Sequence, residues 1–91
     1  MSEEQNGIDI YESRRFEKAI KKLTESQLKV VEDEIEKIIE NPEIGEQKKG
    51  VLAFLRVHKF QLDKQQALLG YLWFKDRLEI YLLQLGSRKL L

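Results

Sequence analysis

Residues 54–60 decide the fold of this chain, and they read Phe-Leu-Arg-Val-His-Lys-Phe. Successive side chains of a strand point to opposite faces, so this alternation predicts a strand with two different faces. One face carries two aromatic rings, an arginine and the only histidine of the chain: Phe54, Phe60, Arg56 and His58. Lys59 lies on the other face.

Two further apolar stretches follow with short connections. Residues 66–74 predict a second strand, and residues 78–85, which are almost wholly apolar, predict a third. The intervening Lys75-Asp76-Arg77 favours a turn. Three consecutive strands with short connections predict an antiparallel meander.

Two amphipathic helices precede the meander. Ser13 is placed to cap the first, whose apolar residues recur at helical spacing: Phe16, Ala19, Ile20 and Leu23. Thr24 and Gln27 have the spacing of a capping box at the start of the second helix. Asn41-Pro42 ends it, because proline disfavours helix at the preceding residue. Since almost nothing separates the helices, we expect an antiparallel helical hairpin.

The alternating residues Ile8–Tyr11 predict a short strand before the helices. The element order is then β-α-α-β-β-β, an α+β fold in which a helical hairpin packs on an antiparallel sheet. A chain of 91 residues is too short for two cores, so we expect one domain over residues 1–91. The polar residues 1–6 are expected to form a disordered tail.

Composition narrows the classes of function. The chain has no cysteine, which excludes disulfides, thiolate zinc sites and a cysteine nucleophile and fits a reducing compartment. Its apolar runs are far shorter than the roughly 20 residues that span a bilayer. Its acidic, polar opening is unlike a secretory signal. We therefore expect a cytoplasmic protein with no membrane partner.

The charges are divided between the two halves of a neutral chain. Residues 1–46 contain 13 Asp and Glu against 7 Lys and Arg, a net charge of −6, whereas residues 47–91 contain 3 against 9, a net charge of +6. Such asymmetry indicates a charged partner for one half. The alternative is that the acidic half only reflects glutamates on solvated helix faces.

The residues that remain for chemistry lie on and beside the first strand of the meander. One histidine without cysteine gives no zinc site, and five scattered glycines give no phosphate loop, so we expect no metal and no cofactor. Arg56 and His58 would lie ~7 Å apart on one face, after the basic pair Lys48-Lys49. RNA supplies its own 2′-hydroxyl nucleophile, so a cation and an acid or base suffice to cleave it. Each of these residues also has a structural reading, as strand packing or solvated loop.

The pattern as a whole resembles the RelE/ParE toxins of bacterial type II toxin–antitoxin systems. The resemblance covers roughly residues 11–86 and is carried by three segments: FEKAIKKL at 16–23, IIENP at 38–42 and GVLAFLRVHKF at 50–60. A closing Leu-Leu-x-Leu-Gly at 82–86 completes it.

This resemblance implies a cognate antitoxin as partner and, in the ribosome-dependent branch, cleavage of mRNA on the ribosome. It implies catalytic roles for Arg56, His58 and Arg88. The surrounding basic residues are then expected to bind RNA: Lys48, Lys49, Lys59 and Lys89. Residues 87–91 stand where active members carry a histidine or tyrosine, so we expect weakened cleavage. Two alternatives stay open: a ParE-like inhibitor of DNA gyrase without nucleolytic chemistry, and an inactive remnant that binds only antitoxin.

Overall fold

The structure is a computed structural model that describes residues 7–48 and 54–87. Its elements in chain order are β1 (Asp9–Glu12), α1 (Arg14–Lys21), α2 (Glu25–Glu40), β2 (Glu46–Gln47), β3 (Leu55–Leu62), β4 (Gln65–Phe74) and β5 (Glu79–Ser87). The predicted order is found, with one addition, because the two-residue strand β2 was not predicted. The tail expected at residues 1–6 lies outside the described residues.

The strands form one sheet in the order β1-β5-β4-β3-β2. The meander β3-β4-β5 is antiparallel, as predicted. β1 instead pairs with β5 in parallel, so the sheet is mixed and not wholly antiparallel. Both helices and the strands β2, β3 and β4 lie between β1 and β5 in the chain, which gives the connection the length that two parallel strands need. The register places Ile10 beside Ile80, on the face that carries the core.

Local capping fixes both helices where the sequence predicts. The Ser13 Oγ accepts a hydrogen bond from the Phe16 N–H at 3.0 Å, and α1 follows. At Thr24 both bonds of the capping box are present, one from the Gln27 N–H and one to the Gln27 side chain. α2 ends at Glu40, with Asn41 as its C-cap. These bonds satisfy backbone N–H groups that have no partner inside a helix.

Both helices contribute to a core on one face of the sheet. Phe16, Val31 and Ile38 are fully buried against side chains of the meander: Phe60, Leu69, Tyr71, Ile80 and Leu82. Each fully buried aliphatic or Phe side chain contributes roughly 1.5–3 kcal/mol. We call this side of the sheet the helix face and the opposite side the open face. No helix among the described residues has the length and apolar character needed to cross a membrane.

A bulge in β5 changes which side chains reach each face. Gly70 pairs with Gln84 but Tyr71 pairs with Leu82, so Leu83 is an extra residue. The bulge turns Gln84 to the open face. Ser13 holds it in place, because its N–H donates to the Leu82 carbonyl at 2.9 Å and its Oγ donates to the Leu83 carbonyl.

Candidate nucleic-acid interface

The pairing of β3 with β4 assigns each predicted site residue to a face. Arg56 lies opposite Tyr71 and His58 opposite Leu69, both of them core residues, so both predicted side chains belong to the helix face. Lys59 lies opposite Leu68 and belongs to the open face. The division of β3 into these two faces follows the predicted alternation. A ligand on the open face is therefore separated from Arg56 and His58 by the sheet itself.

His58 is buried between β3 and α2, with only 8% of its surface exposed. Its Nε2 lies 2.7 Å from Oε1 of Glu34, and its ring stacks on Phe60. Glu34 also accepts a hydrogen bond from the Lys37 Nζ at 3.0 Å. Burial raises the pKa of Glu34, but the hydrogen bonds from His58 and Lys37 outweigh it, so the pKa is lowered from its ordinary value. The pair joins α2 to β3.

Arg56 holds the loop that follows α2. Its guanidinium donates to the carbonyl oxygens of Glu43, at 3.1 Å, and Gly45, at 2.8 Å. The Tyr71 hydroxyl holds the same loop, because it donates to the Pro42 carbonyl at 2.6 Å and accepts from the Gly45 N–H at 3.0 Å. Burial raises the pKa of Tyr71, so this hydroxyl keeps its proton.

Gly45 packs directly against the ring and hydroxyl of Tyr71. A Cβ at position 45 would lie 2.7 Å from the Tyr71 hydroxyl oxygen, closer than side chains pack. The loop then continues into β2, where Glu46 pairs with Val57 and Gln47 with Arg56. Arg56, Tyr71 and Gly45 thus set the position of β2 and of Lys48, which directly follows it.

Arg56 and His58 therefore share a face, but each already has partners within the protein. Their catalytic roles stay predictions, and acting on a substrate would require them to leave these partners. Arg88, the third predicted catalytic residue, lies outside the described residues, as do the predicted RNA-binding residues Lys49 and Lys89.

The two remaining predicted RNA-binding residues, Lys48 and Lys59, come together on the open face. They line a groove of about 600 Å³ across β3, β4 and β5, together with Arg15. The apolar floor is formed by side chains of the three strands: Leu55, Val57, Leu68 and Leu83. The Lys59 Nζ lies 3.5 Å from Glu46, an exposed pair that leaves Lys59 half exposed. We call this the cationic groove.

Sequence reasoning missed Arg15. The side chain begins in the first turn of α1, and its Nη1 donates to the Gln84 Oε1 at 2.8 Å. That contact exists because the bulge at Leu83 turns Gln84 to the open face. The adjacent basic residues Arg14 and Arg15 after the Ser13 cap were a visible signal. Their position relative to the meander was not, because it depends on how α1 packs on β5.

The chain forms a small α+β domain, and comparisons with solved structures find the same fold in bacterial toxins. The RelE toxin in the intact E. coli RelBE toxin–antitoxin complex is similar with a TM-score of 0.71 at 16% identity, over 88% of this chain and 95% of that one. A free mutant of E. coli RelE gives 0.73 at 14% identity, over 91% and 85%. A metal-bound toxin from Helicobacter pylori gives 0.58 at 20% identity, over 92% and 98%.

At such low identities, the TM-scores establish the fold alone, and a family model establishes the family. The model for the ParE-like toxin of type II bacterial toxin–antitoxin systems matches residues 10–91. The chain belongs to this family of toxins. A search of curated proteins gave no match.

Proposed function

We propose that this toxin inhibits translation by cleaving mRNA on the ribosome, without a metal ion, and that the RNA lies in the cationic groove. One observation carries the proposal: Arg15, Lys48 and Lys59 line one groove whose described lining includes no carboxylate, and Glu46 contacts only Lys59 from beside it. Three cations on one sheet face form a site for a polyanion. The net charge of +6 over residues 47–91 supports the same choice of partner.

The chemistry needs little beyond positive charge and proton transfer. The RNA 2′-hydroxyl loses its proton and attacks the adjacent phosphorus, the bond from phosphorus to the 5′-oxygen breaks, the 5′-oxygen takes up a proton, and a 2′,3′-cyclic phosphate remains. Cations beside the phosphate stabilise the charge that builds up in the transition state. Lys48, Lys59 and Arg15 are placed for this role. Arg88 directly follows β5 in sequence and is proposed to join them, whereas Arg56 and His58 would contribute only if ribosome binding freed them from the helix face.

A cognate antitoxin is the second proposed partner. The similar solved structures include the E. coli RelBE toxin–antitoxin complex and a RelE mutant with an antitoxin peptide, which supports an antitoxin as protein partner. We propose that the antitoxin covers the open face with an acidic segment. Opposite charges there would speed association and make it sensitive to salt.

Gyrase inhibition is the second candidate function, and one observation favours it. Arg56 and His58 are engaged on the helix face, so among the described residues the cationic groove has no histidine or carboxylate to transfer a proton. A toxin that binds its target without cleaving nucleic acid needs no such group.

In vitro translation separates these candidates. Purified toxin is added to ribosomes translating a defined mRNA, and the RNA ends are mapped and their chemistry determined. The proposal requires new cuts that end in 2′,3′-cyclic phosphate or 3′-phosphate. Cuts ending in 3′-hydroxyl indicate metal-assisted hydrolysis and contradict it. Intact mRNA together with gyrase-dependent DNA breaks would establish the gyrase alternative.

A further inference from the structure

Aromatic rings form a row at one end of the open face, and we call them the aromatic strip: Tyr11 of β1, Tyr81 of β5 and Phe74 of β4. Tyr11 stacks on Tyr81 with ring centroids 4.8 Å apart and planes 20° from parallel. Phe74 meets Tyr81 edge to face at 5.5 Å, and the ring of Phe54 lies 4.9 Å from Phe74. Tyr11 is 43% exposed and Phe54 is 53% exposed. Tyr81 and Phe74 are partly buried, so the strip lies outside the core and is exposed mainly at Tyr11.

Tyr11, which lies on the edge strand β1, is the outermost ring of this row. Its inner face is covered by Tyr81, and the face of Phe74 is covered by the Arg77 guanidinium at 4.8 Å. β1 is the edge strand of the sheet, so no strand of the described chain lies beyond Tyr11. A flat ring system that reached this edge would extend the Tyr81–Tyr11 stack by one layer.

The neighbouring charged residues indicate which kind of planar ligand would stack on Tyr11. Tyr81 lies on the same strand and the same face as Gln84, which contacts Arg15 at the cationic groove. The two residues are three positions apart and the bulge at Leu83 lies between them, so the distance along the strand is roughly 10 Å at most. A short single strand of RNA can therefore place its phosphates in the groove and an unpaired base on the strip.

Two carboxylates lie on the side of the aromatic strip that faces away from the cationic groove. By alternation along their strands, Asp9 and Glu79 lie on the open face just beyond Tyr11 and Tyr81. The Tyr81 hydroxyl donates to Glu79 at 3.2 Å, and Arg77 lies 3.7 Å from the same carboxylate. These anions repel phosphate, so the RNA backbone is kept on the groove side of the strip.

We propose that Tyr11, backed by Tyr81, stacks an unpaired RNA base while the neighbouring phosphates lie in the cationic groove. This inference rests on the proposed function and assigns its binding residues for the base. Proteins that bind single strands combine a cationic track with aromatic rings in this way. It also explains why exposed tyrosine and basic residues share one face of a small sheet.

The test compares the binding of intact RNA with the binding of RNA that lacks a single base. Fluorescent single-stranded RNA hexamers are titrated with the full-length toxin, with one set intact and another carrying a single abasic position at each site in turn. One abasic position should weaken binding by tenfold or more, on the measured range for base–aromatic stacking. Tyr11→Ala should weaken binding of the intact RNA to a similar extent and should leave the abasic RNA little affected. Tyr11→Trp, which retains a stacking face, should bind as tightly as the native chain.

Salt dependence separates stacking from charge. The slope of log K against log salt becomes shallower by about 0.7 for each phosphate of a single strand that the protein no longer neutralises. Lys59→Ala should reduce the slope, whereas Tyr11→Ala should shift the affinity and leave the slope unchanged. A reduced slope in Tyr11→Ala would show that the tyrosine acts only by holding the groove in place, and would overturn the proposal.

Other outcomes also decide the matter. Equal affinity for intact and abasic RNA at every position overturns the inference. It is also overturned if Tyr11→Ala binds RNA as tightly as the native chain but binds the antitoxin more weakly, since the strip would then be a protein-docking surface. If mRNA is cut on ribosomes but no abasic position matters, the stacking inference fails and the proposed function stands. If base-dependent binding is found but no mRNA is cut, the binding site stands and the proposed function fails. Because abasic probes use the native protein, unfolding of a variant cannot obscure these results.

Discussion

The Nε2 atom of His58 lies 2.7 Å from Oε1 of Glu34, across the contact between β3 and α2. Both side chains are nearly buried, and the Lys37 Nζ, also on α2, contacts the other carboxylate oxygen of Glu34. A histidine predicted to move protons during RNA cleavage thus forms a bond that joins a helix to the sheet. Substitutions at the two positions can separate that structural role from the catalytic one.

Glu34→Gln should destabilise the fold by about 1.5–3 kcal/mol at neutral pH, the range for hydrogen bonds to charged groups. Because the pKa of Glu34 is lowered in the folded chain, the unfolded chain binds the extra proton as the pH falls. The stabilisation is therefore complete above the ordinary pKa of about 4.3 and is lost as the pH falls through the folded value. Urea unfolding at pH 7 and pH 3 measures this, with Glu36→Gln on the exposed side of α2 as control. An equal effect of Glu34→Gln at both pH values would contradict it.

His58→Ala distinguishes structure from catalysis. If the imidazole only joins α2 to β3, the variant loses stability, but mRNA cleavage per folded molecule is retained at a temperature where both proteins are folded. A catalytic acid or base would instead cost about 10²- to 10⁴-fold in rate. We expect the His58→Ala variant to retain mRNA cleavage. A folded His58→Ala protein with cleavage reduced a hundredfold would establish the catalytic role.

Tyr71→Phe should cost about 1–3 kcal/mol, because it leaves the Pro42 carbonyl and the Gly45 N–H without their partner. Gly45→Ala should also destabilise, because the new methyl would meet the Tyr71 hydroxyl. The two changes should not be additive, since removal of the hydroxyl frees part of the space that the methyl needs. Denaturant unfolding of both single variants and the double variant completes the cycle, and strict additivity would refute this account of the loop.

Arg56→Ala should weaken RNA binding indirectly, by releasing the loop that leads to Lys48. We expect lower affinity and lower stability together. Lys59→Ala, which removes a cation from the groove, should lower affinity without lowering stability. Fluorescence titration and thermal unfolding of both variants test this. Arg56→Ala that binds weakly at unchanged stability would indicate direct contact between Arg56 and the RNA.

Ser13→Ala should destabilise more than Thr24→Ala. Loss of an N-cap costs about 0.5–2 kcal/mol, and both variants lose one. Ser13 also donates to the Leu83 carbonyl in the bulge, whereas the second contact of the Thr24 hydroxyl is with the exposed hydroxyl of Ser26 at 3.3 Å. Equal losses in urea unfolding would show that the bond to the bulge contributes nothing.

Local signals in the sequence account for much of this fold, and tertiary contacts account for the rest. The caps at Ser13 and Thr24 and the stop at Asn41-Pro42 are short-range features, so they could be predicted. β2 could not, because two residues carry no periodicity and its place is set by Arg56 and Tyr71 from strands far along the chain. Phe54 also departs from simple alternation, since it precedes β3 and its ring contacts Phe74.

The candidate site shows the same division. Alternation correctly separated Lys59 from Arg56 and His58, but it did not indicate which face the helices would cover. The helices cover the face of His58, since Glu34 of α2 contacts it. The bulge at Leu83 could not be predicted either, because one extra apolar residue in an apolar strand does not change the sequence pattern. Without the bulge, Gln84 would lie on the helix face, and Arg15 would have no visible link to the groove.

The central claim is that this toxin acts on mRNA through the cationic groove. Its most direct test maps mRNA ends on translating ribosomes for the native toxin, for the groove variant Lys48→Ala/Lys59→Ala, and for the helix variant Lys22→Ala/Lys29→Ala. The helix variant removes the same charge from two exposed positions, the C-cap of α1 and the outer side of α2. We predict cuts ending in cyclic phosphate from the native toxin and the helix variant, and at least tenfold fewer from the groove variant. Equal cutting by all three proteins, or intact mRNA with the native toxin, would contradict the account.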